Sequence, residues 1–183
     1  MKKTFYASLL LFVSISLLAQ KPKQLLINEN FASKMEEKKE AWSDFDIPTL
    51  VNGKEAKFTG HQIKYWPKFN PKKPCDCTQG VVNIEMAKGE TISNLEFPEL
   101  PSCGILKIGI QANGKDCKRG FVLQKLDKTG WITVDQIDLD SPPTGTCTMW
   151  EPKNAASKTP VKFRITGTKI GNVFVSDVYA EAF

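Results

Sequence analysis

The sequence has few of the residues on which hydrolytic enzymes depend. Its 183 residues include one histidine, His61, and no Gly-x-Ser-x-Gly turn that would present a nucleophilic serine. A serine or cysteine nucleophile needs a general base beside it, so hydrolases of this kind have no support. Phosphate-binding loops and dinucleotide fingerprints are absent too, which argues against nucleotide-dependent enzymes. We therefore expect no enzymatic activity.

Long hydrophobic runs are absent beyond the N-terminus, where residues 5–18 are apolar apart from three serines. Two lysines precede this run and Ala19 follows it, which is the order of a cleavable signal peptide. The alternative is a membrane anchor, but a span needs about twenty apolar residues. We predict a signal peptide over residues 1–19, a single domain over residues 20–183, and a secreted or periplasmic protein without a membrane span after cleavage.

Strong charge of one sign is also missing. The formal net charge is +5, and it falls to +3 when Lys2 and Lys3 leave with the signal peptide. With 41% hydrophobic and 25% charged residues, the composition is that of an ordinary folded protein. We expect no nucleic-acid partner, because the remaining lysines are mixed with acidic residues.

Five cysteines follow the signal peptide: Cys75, Cys77, Cys103, Cys117 and Cys147. In an oxidising compartment most of them should pair, and one is left over. A bridge between Cys75 and Cys77 would be strained, because one residue separates them. The leading interpretation pairs Cys117 with Cys147, and Cys75 or Cys77 with Cys103. The alternative is a metal site of Cys75, Cys77 and His61, although no second such cysteine pair completes a zinc set.

Short runs with strand periodicity, separated by turn residues, fill most of the chain. Leu106, Ile108 and Ile110 alternate with other residues, as expected for a strand with one buried face. Ser33 and Glu36 fit a capping box and predict one short helix, which would end before Trp42. The pattern predicts an all-β antiparallel sandwich of about eight or nine strands with at most one short helix. The predicted strands cover residues 25–28, 58–66, 81–86, 91–97, 106–110, 121–126, 131–137, 161–165 and 172–179.

One segment is rich in loops, residues 44–74 with four prolines around the predicted strand 58–66, and a second segment, residues 140–157, is a long loop. Loops on a β-sandwich often carry binding residues. Exposed aromatic rings can stack on sugar rings while polar side chains orient the hydroxyls. The candidate ligand contacts are Tyr65, Trp66 and Trp150, with Lys64 and Lys68 as polar partners. The alternative is that these rings belong to the core and that Trp150 covers a disulfide.

Several short motifs occur in a particular order. They are Asn28-Glu29-Asn30-Phe31, Trp42, Thr91-Ile92-Ser93, residues 100–106, the hairpin of residues 121–134, and Val175-Ser176-Asp177-Val178-Tyr179. In this order they resemble the jelly-roll β-sandwich domains of secreted bacterial proteins, similar to carbohydrate-binding modules and galactose-binding-like domains. The resemblance implies a jelly-roll-like sandwich that binds an extracellular carbohydrate.

The resemblance also implies a possible structural calcium where the first and last strands lie side by side. The matching positions are Asn28, Glu29 and Asp177, which supply the oxygen ligands that calcium prefers. The alternative is that Asp177 is a strand-edge carboxylate that binds no metal. In that case the cysteines would stabilise the fold in place of the metal. Apart from this calcium, we expect no cofactor.

We predict non-catalytic carbohydrate binding. One alternative is a structural or partner-binding envelope protein whose aromatic residues are buried. A second is a small polysaccharide-active enzyme, which would need two carboxylates about 5 to 10 Å apart. Asp44, Asp46, Glu85 and Glu96 are available, but their spacing selects no pair. Burial of both Trp66 and Trp150 would remove the physical basis for sugar binding.

Overall fold

A computed structural model describes residues 23–32, 35, 37, 39–67, 81–86, 93–112, 119–139, 148–167 and 171–183. Within these ranges the chain forms eleven strands and no helix. The strands are β1 (Leu25–Glu29), β2 (Lys39–Val51), β3 (Lys54–Trp66), β4 (Val81–Met86), β5 (Asn94–Glu96), β6 (Ile105–Ala112), β7 (Arg119–Asp127), β8 (Gly130–Leu139), β9 (Thr148–Trp150), β10 (Phe163–Gly167) and β11 (Gly171–Glu181). The described ranges accordingly offer no helix that could span a membrane.

Strand β3 belongs to both layers of the sandwich. Residues 59–61 pair with β5, and residues 63–66 pair with β4. Between them lies Gln62, whose φ of 50° is left-handed and whose backbone N–H donates to Asp44 Oδ1 at 2.8 Å. One sheet therefore runs β8-β7-β10-β5-β3 and the other β3-β4-β11-β6-β9, with β2 along β3 and β1 along β11.

The core between the sheets is built from residues that alternate along the strands. Phe58 packs edge-on against Phe31 and Phe97, with ring centres 5.1 and 5.4 Å apart. Phe121 and Phe163 are fully buried in the same cluster. Burying a phenylalanine side chain contributes about 1.5–3 kcal/mol, so this cluster is a main source of stability. The predicted all-β, jelly-roll-like sandwich is confirmed.

The described residues contain eleven strands, more than the eight or nine predicted. The helix predicted from Ser33 and Glu36 stays a prediction, because both residues lie outside the described residues, and strand β2 begins at Lys39. Strand β2 pairs with β3 on one side only, and Pro48 fits there because an edge strand can spare an N–H group. Strand β9 was likewise expected to be part of a loop.

Cys103 is a free cysteine in the structure, so its predicted bridge to Cys75 or Cys77 is not formed. The thiol is fully buried in the core, and its Sγ lies 3.7 Å from the carbonyl oxygen of Ile105. Burial raises the pKa of the Cys103 thiol to about 11, which keeps it protonated and unreactive. The other four cysteines lie outside the described residues, so the pairing of Cys117 with Cys147 stays a prediction.

Candidate functional site

Two of the three predicted aromatic contacts face the core. Tyr65 is fully buried, and its hydroxyl donates to the carbonyl oxygen of Phe31 at 2.6 Å and accepts from the N–H of Met35 at 3.3 Å. Trp150 is 6% exposed, because it pairs with the buried Ile108 and shares its face. Neither ring offers a face to a sugar, so both assignments are corrected to core residues.

The third predicted ring, Trp66, lies on the outer face and is only partly buried. It meets Phe174 edge-on with ring centres 5.9 Å apart. The predicted Lys64 places its Nζ 4.3 Å from the ring centre of Trp42, an aromatic residue that sequence reasoning had not assigned to a site. We call Trp42, Lys64, Trp66 and Phe174 the Trp66 patch. Lys68 lies outside the described residues.

The three predicted calcium ligands point to opposite sides of one sheet. Glu29 is 2% exposed and faces the core, where its carboxylate accepts from the N–H groups of Asn30 and Phe31 and from the Thr49 hydroxyl. Asn28 and Asp177 instead line one groove on the outer face. The Glu29 carboxylate is therefore separated from Asp177. No group of three or more His, Cys, Asp or Glu side chains within the described residues is placed to hold a metal.

A row of polar side chains crosses the outer face of the sheet β8-β7-β10-β5-β3. Residues directly opposite each other in antiparallel strands share a face. The register opposes Gln124 to Arg164, Arg164 to Glu96, Glu96 to Thr59, and Thr59 to Asp46. These five side chains form what we call the polar row. Most of their sequence neighbours are buried, among them Leu95, Phe97, Phe163 and Ile165, as the two-residue period of a strand requires.

Arg164 and Glu96, at the centre of the polar row, are held in place by contacts with neighbouring side chains. The Arg164 Nε donates to Gln124 Oε1 at 2.7 Å, and its guanidinium lies 4.5 Å from the ring centre of the half-buried Trp131. Lys162 Nζ lies 2.5 Å from Glu96 Oε2. Burial lowers the pKa of the Arg164 guanidinium, and the charge of Glu96 opposes this effect. The two terminal nitrogens of Arg164 make no hydrogen bond to any described residue.

Acidic residues and the single histidine flank the row. His61 lies between two carboxylates, with Nδ1 3.7 Å from Asp44 Oδ2 and Nε2 3.7 Å from Glu96 Oε1. Asp46 accepts from Lys57 at 2.6 Å and from the Thr59 hydroxyl at 2.9 Å. Three of the four acids available to the enzyme alternative, Asp44, Asp46 and Glu96, therefore lie on this face. The side chain of Glu85 lies outside the described residues.

The electrostatics of these acids differ from those of a glycosidase acid. The N–H of Gln62 lowers the pKa of Asp44, and the hydrogen bond from Lys57 lowers the pKa of Asp46. A general acid needs a raised pKa so that it carries its proton near neutral pH. The pKa values of Asp44 and Asp46 are shifted in the opposite direction, so neither carboxyl is suited to the role of general acid.

No protein-family model matches the chain, and no curated protein is similar to it in sequence. Among solved structures, the chain is similar to the module TmCBM61 in complex with β-1,4-galactotriose, at 18% identity over 67% of this chain and 85% of that chain, with a TM-score of 0.45. It is also similar to the K3 adhesin domain of Lys-gingipain from Porphyromonas gingivalis, at 16% identity over 57% and 75% of the two chains, with a TM-score of 0.43.

A third similar structure is the CBM22-1–GH10 part of xylanase 10B from Clostridium thermocellum, complexed with xylohexaose. The identity is 15% over 88% of this chain and 29% of that chain, with a TM-score of 0.40. Two of these three structures contain carbohydrate-binding modules, the kind of domain that the sequence motifs resemble. At these identities the similarity does not extend to individual site residues.

Proposed function

We propose that the protein binds an extracellular carbohydrate without cleaving it, through the polar row and the adjoining ring of Trp131. The observation that carries this proposal is the register, which aligns donors and acceptors from five strands on one face. Adjacent strands lie about 4.8 Å apart, so successive polar groups are separated by a distance comparable to the size of a sugar ring.

The chemistry of the row suits sugar hydroxyls, which both donate and accept hydrogen bonds. Arg164 presents two donor nitrogens, while Glu96 and Asp46 present carboxylate oxygens. Because Gln124, Lys162 and Lys57 already hold these groups, little side-chain freedom is lost when a ligand binds. The Trp131 ring adds an apolar surface at one end of the row.

The charge of this face favours a neutral ligand. Three basic and three acidic side chains lie on or beside the row: Lys57, Lys162, Arg164, Asp44, Asp46 and Glu96. A nucleic acid would require a clear excess of positive charge. The predicted signal peptide supports an extracellular ligand.

The proposal is tested by calorimetric titration of the mature chain with β-1,4-galactotriose, xylohexaose, cellotetraose and panose. We expect saturable binding of at least one of these oligosaccharides. The variant Arg164→Ala should weaken that binding roughly tenfold or more, since a hydrogen bond to a charged group contributes about 1.5–3 kcal/mol. The control Lys54→Ala removes one exposed positive charge outside the row and should leave the affinity unchanged.

Two results would contradict the proposal. One is the absence of binding for every oligosaccharide tested. The other is binding that is lost in Trp66→Ala but kept in Arg164→Ala, which would assign the ligand to the Trp66 patch. Circular dichroism of each variant would show whether the sandwich is intact.

A further inference from the structure

A second polar arrangement lies on the outer face of the opposite sheet. The register opposes Asn28 of β1 to Tyr179 of β11, and Tyr179 to Lys107 of β6. Lys107 Nζ lies 3.7 Å from Glu151 Oε2, which continues the arrangement beyond β6. The side chains therefore align across neighbouring strands, as they do in the polar row.

These residues line a groove, which we call the Tyr179 groove. Its walls include Asn28, Lys107, Met149, Asp177, Tyr179 and Glu181. Met149 is 55% exposed, so the groove offers an apolar wall that no described side chain covers. A groove with one aromatic ring, one apolar wall and a few polar groups has the composition of a small-ligand site.

Tyr179 is oriented by a contact within its own strand. Its hydroxyl donates to the carboxylate of Glu181, two residues further along and on the same face. The Tyr179 side chain is partly exposed on the outer face, so part of it is accessible to a ligand. The hydrogen bond to Glu181 raises the pKa of the Tyr179 phenol, so the ring stays uncharged.

Asp177 is held at the groove by an irregularity in the sheet. The register between β11 and β6 shifts between Val175 and Asp177, and Ser176 Oγ donates to Asp177 Oδ2 at 2.6 Å. The residue opposite Asp177 is Gly109, where an added Cβ would lie 2.7 Å from Asp177 Oδ2. The bulge and the glycine together allow the carboxylate to lie across β6.

We propose that the Tyr179 groove is a second carbohydrate site, which binds an uncharged sugar ring on the face opposite the polar row. The inference rests on the proposed function and extends it, because one molecule would then hold two glycan segments at once. Two carboxylates, Asp177 and Glu181, outnumber the single ammonium of Lys107, so an acidic sugar is disfavoured. Asn28 supplies both a donor and an acceptor for hydroxyls.

The test is an amide NMR titration of the mature chain with the same four oligosaccharides, on the wild type, Arg164→Ala and Tyr179→Ser. In the wild type we expect shifts in two clusters, one around Arg164 and one around Asn28, Lys107 and Met149. The second cluster should persist in Arg164→Ala. In Tyr179→Ser its apparent dissociation constant should rise roughly tenfold or more.

Two further variants separate ring stacking from other effects. Tyr179→Phe keeps the ring and removes only the hydroxyl, so groove binding should weaken less than in Tyr179→Ser. Asn28→Ala leaves the ring in place and removes an amide that contacts hydroxyls, so it should weaken binding as well. Both positions lie on the outer face, so the variants are expected to keep the fold, and their amide spectra report this directly.

The outcomes distinguish this inference from the proposed function. Shifts only around Arg164, all lost in Arg164→Ala, would overturn the second site and leave the proposed function intact. Shifts only in the groove would support this inference and refute the polar row. An unchanged spectrum with all four oligosaccharides would overturn both.

Discussion

The polar side chains on the two outer faces of the sandwich are held in place by different kinds of contact. On the polar row, each carboxylate is matched by a donor from another part of the chain, Asp46 by Lys57 of β3 and Glu96 by Lys162, which directly precedes β10. On the opposite face, the groups are fixed by their own strand, Asp177 by Ser176 and Tyr179 by Glu181. A face built from cross-strand pairs depends on correct register, whereas the other depends on a local bulge and a glycine.

The largest expected effect comes from Gly60→Ala, close to the bend of β3 that joins both faces. An added Cβ would lie 1.9 Å from Ile63 Cδ1 and 2.5 Å from Ile63 Cγ1. Because Ile63 is fully buried, the core must shift, and we expect a loss of about 1–3 kcal/mol in the free energy of unfolding. Urea denaturation measures it. An unchanged midpoint would mean that β3 can move without disturbing the core.

The next effect concerns the geometry of the polar row. In Arg164→Lys the positive charge remains, but the planar fork and its contact with Gln124 are lost. We expect the affinity for the best-bound oligosaccharide to fall roughly tenfold, equivalent to about 1.4 kcal/mol, with little change in stability. Calorimetric titration beside Lys54→Ala checks this. Equal affinity of Arg164→Lys and wild type would show that charge alone matters on this face.

A smaller effect is expected from Gly109→Ala on the opposite face. Here the added Cβ would meet Ser176 Oγ at 2.5 Å and Asp177 Oδ2 at 2.7 Å, which are ends of short side chains that can rotate. We expect a stability loss of about 1 kcal/mol, the lower end for added methyl groups, together with altered amide shifts at Asp177. A loss of stability as large as that of Gly60→Ala would contradict the interpretation that side chains on this face are held by contacts within their own strand.

The smallest effect is the pH dependence of Asp46. Its pKa is lowered from 3.8 by Lys57, so its pairing stabilises the fold above that pH and is lost as the pH falls through the lowered value. The pair is largely exposed, so Asp46→Asn should cost less than about 1 kcal/mol at pH 7. The difference between variant and wild type should vanish in acid. Thermal unfolding at several pH values measures it, and a difference that persists at pH 2 would refute this account.

The sequence predicts the regular strands well, because their periodicity is local. Leu106, Ile108 and Ile110 are buried as their alternation indicates. The turn between β7 and β8 also appears as expected, with Gly130 at a φ of 116° and the Thr129 N–H donating to Asp127 at 2.6 Å. Hydrophobic alternation and turn chemistry are sufficient for these elements.

The candidate site was harder to predict, because it depends on which of two adjacent residues faces inward. Tyr65 and Trp66 are both aromatic, so periodicity does not decide between them, and the left-handed Gln62 interrupts the alternation just before them. The polar row joins residues as far apart as Asp46 and Arg164, which only the strand register brings together. Composition and spacing along the chain contain no such information.

The pairing of β1 with β11 has a mechanical consequence. Leu25 opposes Glu181, and the Ala182 N–H donates to the Gln24 carbonyl at 2.8 Å, so both ends of the described fold leave from one corner. A force that pulls these two ends apart would load the hydrogen bonds between β1 and β11 one at a time, so they would break in sequence from this corner. The domain should therefore yield at low tension from this corner, whereas a load applied through either outer face would be shared by several strands.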